Sequence, residues 1–209
     1  MALDLSVYLV IGARDAGPRG VRATVEAAVA GGVSVVQLRD KQASGRELMA
    51  LAAQLLDLLD GTGVPLLLND RLDIALASGA HGVHLGQSDL DVRRARRLAG
   101  PEFVIGLSAS RPEEVADVHS LPSGTVDYLG IGPVFPTATK PDARAAVGLA
   151  ALAELCAGTA LPCVGIGGIT ARNAAAVWAA GVDGLAVVSA ITGAPNPRAA
   201  AAGLRGARP

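Results

Sequence analysis

The chain has 209 residues, 51% hydrophobic and 18% charged, which is enough apolar chain for one sizeable core and excludes a disordered protein. Eighteen Lys and Arg against nineteen Asp and Glu leave a net charge of −1, so no global basic field draws in nucleic acid or anionic membrane, and any anion recognition is local. Aromatic residues make up 2%, too few for the stacking platforms of an oligonucleotide binder.

Short β-branched runs alternate with Ala/Leu-rich segments of helical period along the whole chain. In order, the spacing predicts strand Val7–Ile11, helix Gly20–Ala30, strand Val33–Leu38, helix Ser44–Leu59, strand Pro65–Leu68, helix Arg71–Ala77, strand Gly82–Leu85 and helix Leu90–Leu98. The second half repeats the pattern: strand Phe103–Leu107, helix Pro112–His119, strand Val126–Ile131, helix Leu149–Ala157, strand Pro162–Ile166, helix Ala171–Ala180, strand Gly184–Val188 and helix Pro197–Leu204. Glycines at the helix–strand joints, as in Gly31-Gly32-Val33 and Ala180-Gly181-Val182, act as helix stops. Eight βα units in about 200 residues predict a single-domain (β/α)8 TIM barrel over 1–209 rather than an open doubly wound sheet, which has fewer strands.

Apolar stretches end well before the roughly 18 residues of a membrane span, and the N-terminus MALDLSVYLV carries no basic leader. The expectation is a soluble, cytoplasmic protein without nucleic-acid or membrane partners. Cys156 and Cys163 show no metal-ligand pattern and read as core thiols.

In such a barrel, residues just after each strand share one face, where active sites lie. Strand two ends in Gln37-Leu38-Arg39-Asp40-Lys41, with Gln37, Arg39 and Lys41 on one side of an extended chain. Guanidinium plus ammonium suits an anion, a phosphate above all; the plainer reading is an exposed basic loop. Asp70 after strand three and Asp89 after strand four either cap the following helices or converge at the rim. Carboxylates beside a phosphate binder point to a bridging divalent cation, and Mg2+ takes one or two carboxylates together with substrate phosphates.

Ser108 after strand five is either a ligand or an N-cap. No histidine–acid pair accompanies it, so no nucleophilic triad is expected. His84 and His81 read as polar-core or αβ-turn residues, and His119 as solvated. Strand six opens into a Gly/Pro-framed loop carrying Thr137, Ala138, Thr139 and Lys140, and Lys41 and Lys140 are the two lysines of the chain. Gly165-Ile166-Gly167-Gly168 and Val187-Val188-Ser189 follow strands seven and eight, the usual seat of a phosphate monoester.

Six ordered motifs now resemble the thiamine-phosphate synthase family: Gln-Leu-Arg-Asp-Lys at 37–41, Asn-Asp at 69–70, Val-His-Leu-Gly-Gln-Ser-Asp at 83–89, Gly-Pro-Val-Phe-Pro-Thr-Ala-Thr-Lys at 132–140, Gly-Ile-Gly-Gly-Ile at 165–169 and Val-Val-Ser-Ala-Ile at 187–191. The resemblance implies that 4-amino-2-methyl-5-hydroxymethylpyrimidine diphosphate and 4-methyl-5-(2-phosphoethyl)thiazole are joined to thiamine phosphate with release of diphosphate. By position it implies that Gln37, Leu38, Arg39, Asp40, Lys41, Asn69, Ser108 and Lys140 hold the pyrimidine diphosphate. Arg39, Lys41, Ser108 and Lys140 are the catalytic candidates among them. Asp70 and Asp89 would bind Mg2+, and Thr137, Ala138, Thr139, Gly168, Val188 and Ser189 would hold the thiazole phosphate.

The implied chemistry is dissociative, with diphosphate leaving before the thiazole nitrogen captures a pyrimidine-methylene cation. The family's precedent is a homodimer acting on small-molecule substrates. Two departures stand out: His81 replaces a usual Asp, and Ala109-Ser110 replace a usual Thr-His. The second disfavours the related thiazole tautomerases, which use a histidine in that loop. A sugar-phosphate isomerase or aldolase would share the loops after strands seven and eight but would not require the paired acids with Arg39, Lys41 and Lys140. A non-enzymatic sensor of thiamine precursors would bind both substrates without forming product.

Overall fold

The computed structural model describes residues 3–137 and 145–208. Its first half runs β1 (Val7–Ile11), α1 (Ala13–Ala16), α2 (Val21–Val29), β2 (Val35–Leu38), α3 (Gly45–Leu59), β3 (Leu66–Asn69), α4 (Leu72–Ser78), β4 (Gly82–Leu85) and α5 (Val92–Ala99). Its second half runs β5 (Val104–Ala109), α6 (Pro112–His119), β6 (Tyr128–Ile131), α7 (Gly148–Ala157), β7 (Cys163–Ile166), α8 (Ala174–Ala179), β8 (Gly184–Val187), α9 (Ser189–Thr192) and α10 (Pro197–Gly206). All neighbouring strands pair in parallel in chain order, and β8 pairs with β1, so the sheet closes into the eight-stranded TIM barrel. Among the described residues, no helix is long and apolar enough to cross a membrane.

Two single-turn helices, α1 and α9, lie outside the predicted elements, because four residues carry too little of a 3.6 period to register. The predicted starts at Leu90 and Ala171 move inward. Asp91 caps α5 by accepting the Arg94 N–H at 3.1 Å, and Asn173 is the N-cap residue of α8. Strand β5 extends to Ala109, which makes Ser108 a strand residue rather than a loop residue.

Alternation along the strands sorts side chains into two cores. Val7, Leu9 and Ile11 of β1 face the helices, in a cluster with Val36 and Leu38 of β2 and Leu66 and Leu68 of β3. Tyr8, Val10, Val35, Leu67, Tyr128, Val164 and Ala186 belong to the second cluster, inside the barrel. Tyr128 and His84 fit in that interior because β5 and β6 present glycines beside them. A Cβ on Gly106 would stand 2.2 Å from Tyr128 Cζ, and one on Gly130 would stand 2.9 Å from His84 Cε1.

The opposite end of the barrel shows a fourfold device. The residue just before each even-numbered strand accepts a backbone N–H from the start of the odd-numbered strand preceding it. Ser34 Oγ takes Val7 N–H at 3.1 Å, His81 Nδ1 takes Leu66 N–H at 3.1 Å, Asp127 Oδ2 takes Ile105 N–H at 2.7 Å and Asp183 Oδ2 takes Cys163 N–H at 2.8 Å. His81 therefore performs the acceptor duty that Asp127 and Asp183 perform in their own units, which explains how this position tolerates imidazole in place of carboxylate.

His81→Ala strands the amide of the fully buried Leu66, so it is expected to lower stability by about 1–3 kcal/mol. His81→Asp restores the acceptor and is expected to remain close to wild type. Urea unfolding of both variants at pH 8 checks the pair of outcomes.

Candidate active site

The C-terminal rim encloses a cavity of about 500 Å3, within the range of small-molecule sites. Of the residues singled out in the sequence, it brings together Gln37, Arg39, Lys41, Asn69, Asp70, Asp89, Ser108, Thr137, Gly168, Val188 and Ser189. Leu38 and Asp40 do not line it. Leu38 falls on the outward phase of β2 and is buried against the helices, while the Asp40 carboxylate accepts the N–H groups of Gln42 and Ala43 at 3.1 and 3.2 Å, forming the turn that follows β2. Neither side chain faces the site, so a substrate contact at these positions falls to the backbone. Ala138, Thr139 and Lys140 lie outside the described residues.

Neither aspartate caps a helix. The N-cap positions of α4 and α5 are Arg71 and Asp91. Asp70 instead adopts a left-handed φ of 61°, a conformation that a short polar residue tolerates and that turns the chain sharply off β3. Its amide still continues the ladder by donating to His84 O at 2.9 Å. Asp89 accepts the Gly86 N–H at 2.7 Å, and the two carboxyl groups hydrogen-bond to each other.

Lys41 Nζ stands 3.7 Å from Asp70 Oδ2. Burial, followed by the hydrogen bond and charge of Asp89, pushes the Asp70 carboxyl up to about 6, against the opposing pull of Lys41 and Arg39. Magnitudes explain why the cations lose. The Lys41 and Asp70 side chains are 46% and 25% exposed, and ion pairs of that kind return about 0–1 kcal/mol. Keeping Asp70 ionised costs up to about 3 kcal/mol. Two acids forced together in this way form a site short of positive charge. Among the described residues no third His, Cys, Asp or Glu joins them, so this donor set fits a hard cation that completes its shell with phosphate oxygens and water, as Mg2+ does.

On the other side of the mouth, the loop after β6 lies along the end of β7. Val134 N–H donates to Ile166 O at 2.8 Å and Phe135 N–H to Gly167 O at 3.1 Å. The approach is close enough that a Cβ on Gly168, whose φ is +64°, would stand 2.7 Å from Phe135 Cβ. Asn173 Nδ2 donates to Gly168 O at 3.0 Å and fixes the same loop. Ser189 opens α9 beside it. This lobe is uncharged among its described residues and offers hydroxyls and backbone instead.

The cavity floor holds residues that the sequence reading did not single out as ligands. Tyr8, Tyr128 and His84 line it, joined by hydrogen bonds to Gln37 and Ser108. Burial raises both phenols above their ordinary range. Gln87 Nε2 donates to Ser108 O at 2.7 Å, and the buried Glu114 accepts from Ser110 N at 2.8 Å and pairs with Arg111 at 2.8 Å. Burial also raises Asp15, which accepts the Gly12 N–H at 2.9 Å and lies within the field of Arg39. The available signal was a tyrosine standing in each of two aliphatic strands while neighbouring strands carry glycine.

The strain at Asp70 has a measurable consequence. Asp70→Asn is expected to stabilise the metal-free protein by about 1–3 kcal/mol at pH 8. A raised carboxyl burdens the fold above its folded value of about 6 and adds no burden below the ordinary 3.8, where both states are protonated. The advantage of the variant should therefore vanish near pH 3.5 to 4, about where the unfolded carboxyl is protonated. Unfolding titrations across this range check it.

Comparison with known proteins agrees with this architecture over nearly the whole chain. A family model described as thiamine monophosphate synthase matches residues 7–191. The thiamine-phosphate synthase of Azorhizobium caulinodans is 50% identical over 202 residues, covering 97% of this chain and 94% of that protein. That of Desulfitobacterium hafniense strain Y51 is 46% identical over 204 residues, covering 98% and 97%. The solved thiamine phosphate pyrophosphorylase of Pyrococcus furiosus superposes with a TM-score of 0.87 at 36% identity, over 99% of this chain and 96% of its own. With the closed barrel and the near-complete alignments in agreement, the chain belongs to the thiamine monophosphate synthase family.

Proposed function

We propose that this barrel mouth carries out the family's condensation of pyrimidine and thiazole moieties by Mg2+-assisted, dissociative loss of diphosphate. The substrates are 4-amino-2-methyl-5-hydroxymethylpyrimidine diphosphate and 4-methyl-5-(2-phosphoethyl)thiazole, and the products are thiamine phosphate and diphosphate. The observation that carries the reading is the meeting of Asp70, Asp89, Arg39 and Lys41 on one rim of one cavity. Two acids next to two cationic side chains, with Asp70 driven toward protonation by burial and by the neighbouring Asp89, suit a metal-bridged polyanion better than a neutral or a singly charged ligand.

Arg39 grips two phosphate oxygens with its planar fork, and Lys41 adds a point charge. Asn69 and Ser108 supply neutral hydrogen bonds to the same substrate, and Lys140, which lies outside the described residues, would add a further positive charge by the family resemblance. Asp70 and Asp89 would hold Mg2+, which when bound neutralises charge on the leaving diphosphate. The C–O bond breaks with its electron pair going to diphosphate, and the thiazole nitrogen lone pair forms the new C–N bond. No proton leaves the reacting atoms, so the step needs no general base. Val10, Val164, Ile166 and Ala186 line the same cavity and keep water from the methylene cation. Thr137, Gly168, Val188 and Ser189 hold the thiazole phosphate on hydroxyl and backbone donors.

A tautomerase reading lacks its histidine here. Ala109 is buried, and Ser110 is held by Glu114.

Diphosphate release measured with both substrates and Mg2+ tests the reading. Release that requires both substrates is the expected result, whereas tight binding of both without product would overturn it in favour of a sensor. Arg39→Ala and Lys140→Ala are each expected to reduce turnover at least about tenfold, since a lost donor to a developing anion costs up to about 10²–10³. Unchanged turnover in a folded variant would remove that residue from the mechanism.

A further inference from the structure

Five side chains cross the barrel interior in single file. Gln37 Nε2 donates to Tyr8 Oη at 2.7 Å, Tyr8 Oη meets Tyr128 Oη at 2.8 Å, Tyr128 Oη meets His84 Nδ1 at 2.9 Å, and His84 Nε2 meets Ser108 Oγ at 2.9 Å. They come from β2, β1, β6, β4 and β5 in that order. Tyr8 and Tyr128 are each 1% exposed, so water does not compete along the middle of the file.

Each hydroxyl has one proton to give, so the orientation at one end fixes all the others. The Gln37 amide nitrogen can only donate, which leaves Tyr8 Oη as acceptor and sends its proton to Tyr128. Tyr128 then donates to His84 Nδ1. The imidazole carries its proton on Nε2 and donates it to Ser108 Oγ. An oxygen that accepts from inside the barrel keeps its own proton for the mouth, where Ser108 lines the cavity. With the opposite polarity, Ser108 would spend its proton on His84 and turn lone pairs toward an anion.

We propose that this chain is a polarised relay that keeps Ser108 a hydrogen-bond donor to the leaving diphosphate, with Tyr8, Tyr128 and His84 as positioning residues. The proposal rests on the functional reading above, and its polarity is measurable without turnover. The upward push of burial on both phenols keeps their protons in place at neutral pH. Gly106 and Gly130 make the file sterically feasible, because a side chain at either would meet Tyr128 or His84.

Nitrogen-15 NMR of the substrate-free, histidine-labelled enzyme reads the tautomer, with His84 assigned by difference from His84→Gln. A proton on Nε2 is expected, and a proton on Nδ1 would overturn the relay. In steady-state kinetics, Tyr128→Phe is expected to lower kcat about tenfold, with KM for the pyrimidine diphosphate within about threefold, and to leave His84 a mixture of tautomers. An unchanged kcat would overturn the catalytic part. Tyr8→Phe leaves Tyr128 able to donate to His84, so its loss should be the smaller; a larger one with the tautomer intact would assign the effect to packing and overturn polarity as the cause. Wild-type enzyme that forms no thiamine phosphate would defeat the functional reading while the tautomer still decides the relay.

Discussion

The pairing of β8 with β1 is the constraint from which the site follows. Closure leaves all eight strand ends on one rim, and the two-residue alternation then decides which side chains look inward. Gln37, Asn69, His84 and Ser108 are separated widely in sequence, yet they belong to consecutive strands of the sheet and share its inward phase. The same rule sends Leu38 outward, one residue away from Gln37. A shift of one position in any register would exchange the polar floor for aliphatic side chains.

The rim and the floor use different physics. At the rim, charge is left deliberately unbalanced: Asp70 sits in a left-handed conformation against Asp89, and the nearby cations do not offset the cost. Such an arrangement weakens the empty protein and favours whatever supplies the missing positive charge. On the floor nothing is left unsatisfied. Among the described residues, every buried side-chain nitrogen and oxygen has a partner, and the polar groups form a continuous file that runs through two tyrosines whose ring centroids are 5.9 Å apart. In the proposed reaction, uncompensated charge above and fixed hydrogen bonding below would divide the work of binding a polyanion and orienting its donors.

Much of this was legible in the sequence because two signals reinforce one another. Strand periodicity locates eight strand ends, and polar residues at those ends can then be placed on one face from spacing alone. The acids, Arg39, Lys41 and Ser108 are found that way. Leu38 and Asp40 are carried in by the motif that surrounds them, which records adjacency along the chain and is blind to the pleat. Tyr8 and Tyr128 escape notice because a tyrosine in an aliphatic run reads as a β-former, and its hydroxyl partner lies 120 residues away. His84 reads in the sequence as a polar-core or αβ-turn residue, whereas the structure sets it half-buried on the cavity floor, and its position beneath Ser108 depends on the β4–β5 register, which no local pattern reveals. The helices α1 and α9 fall below the length at which periodicity carries information.

The acceptors at the base of the barrel give the fold a grain. Ser34, His81, Asp127 and Asp183 tie strands together two by two, so the ring is built from four stapled couples rather than eight equal staves. Dividing the polypeptide in the turn before β3, β5 or β7 would leave every staple within one fragment. A division inside a couple would separate an amide from the side chain that receives it. Complementary halves of this barrel are therefore not interchangeable with halves cut one strand further along, even though the two cuts look alike in outline.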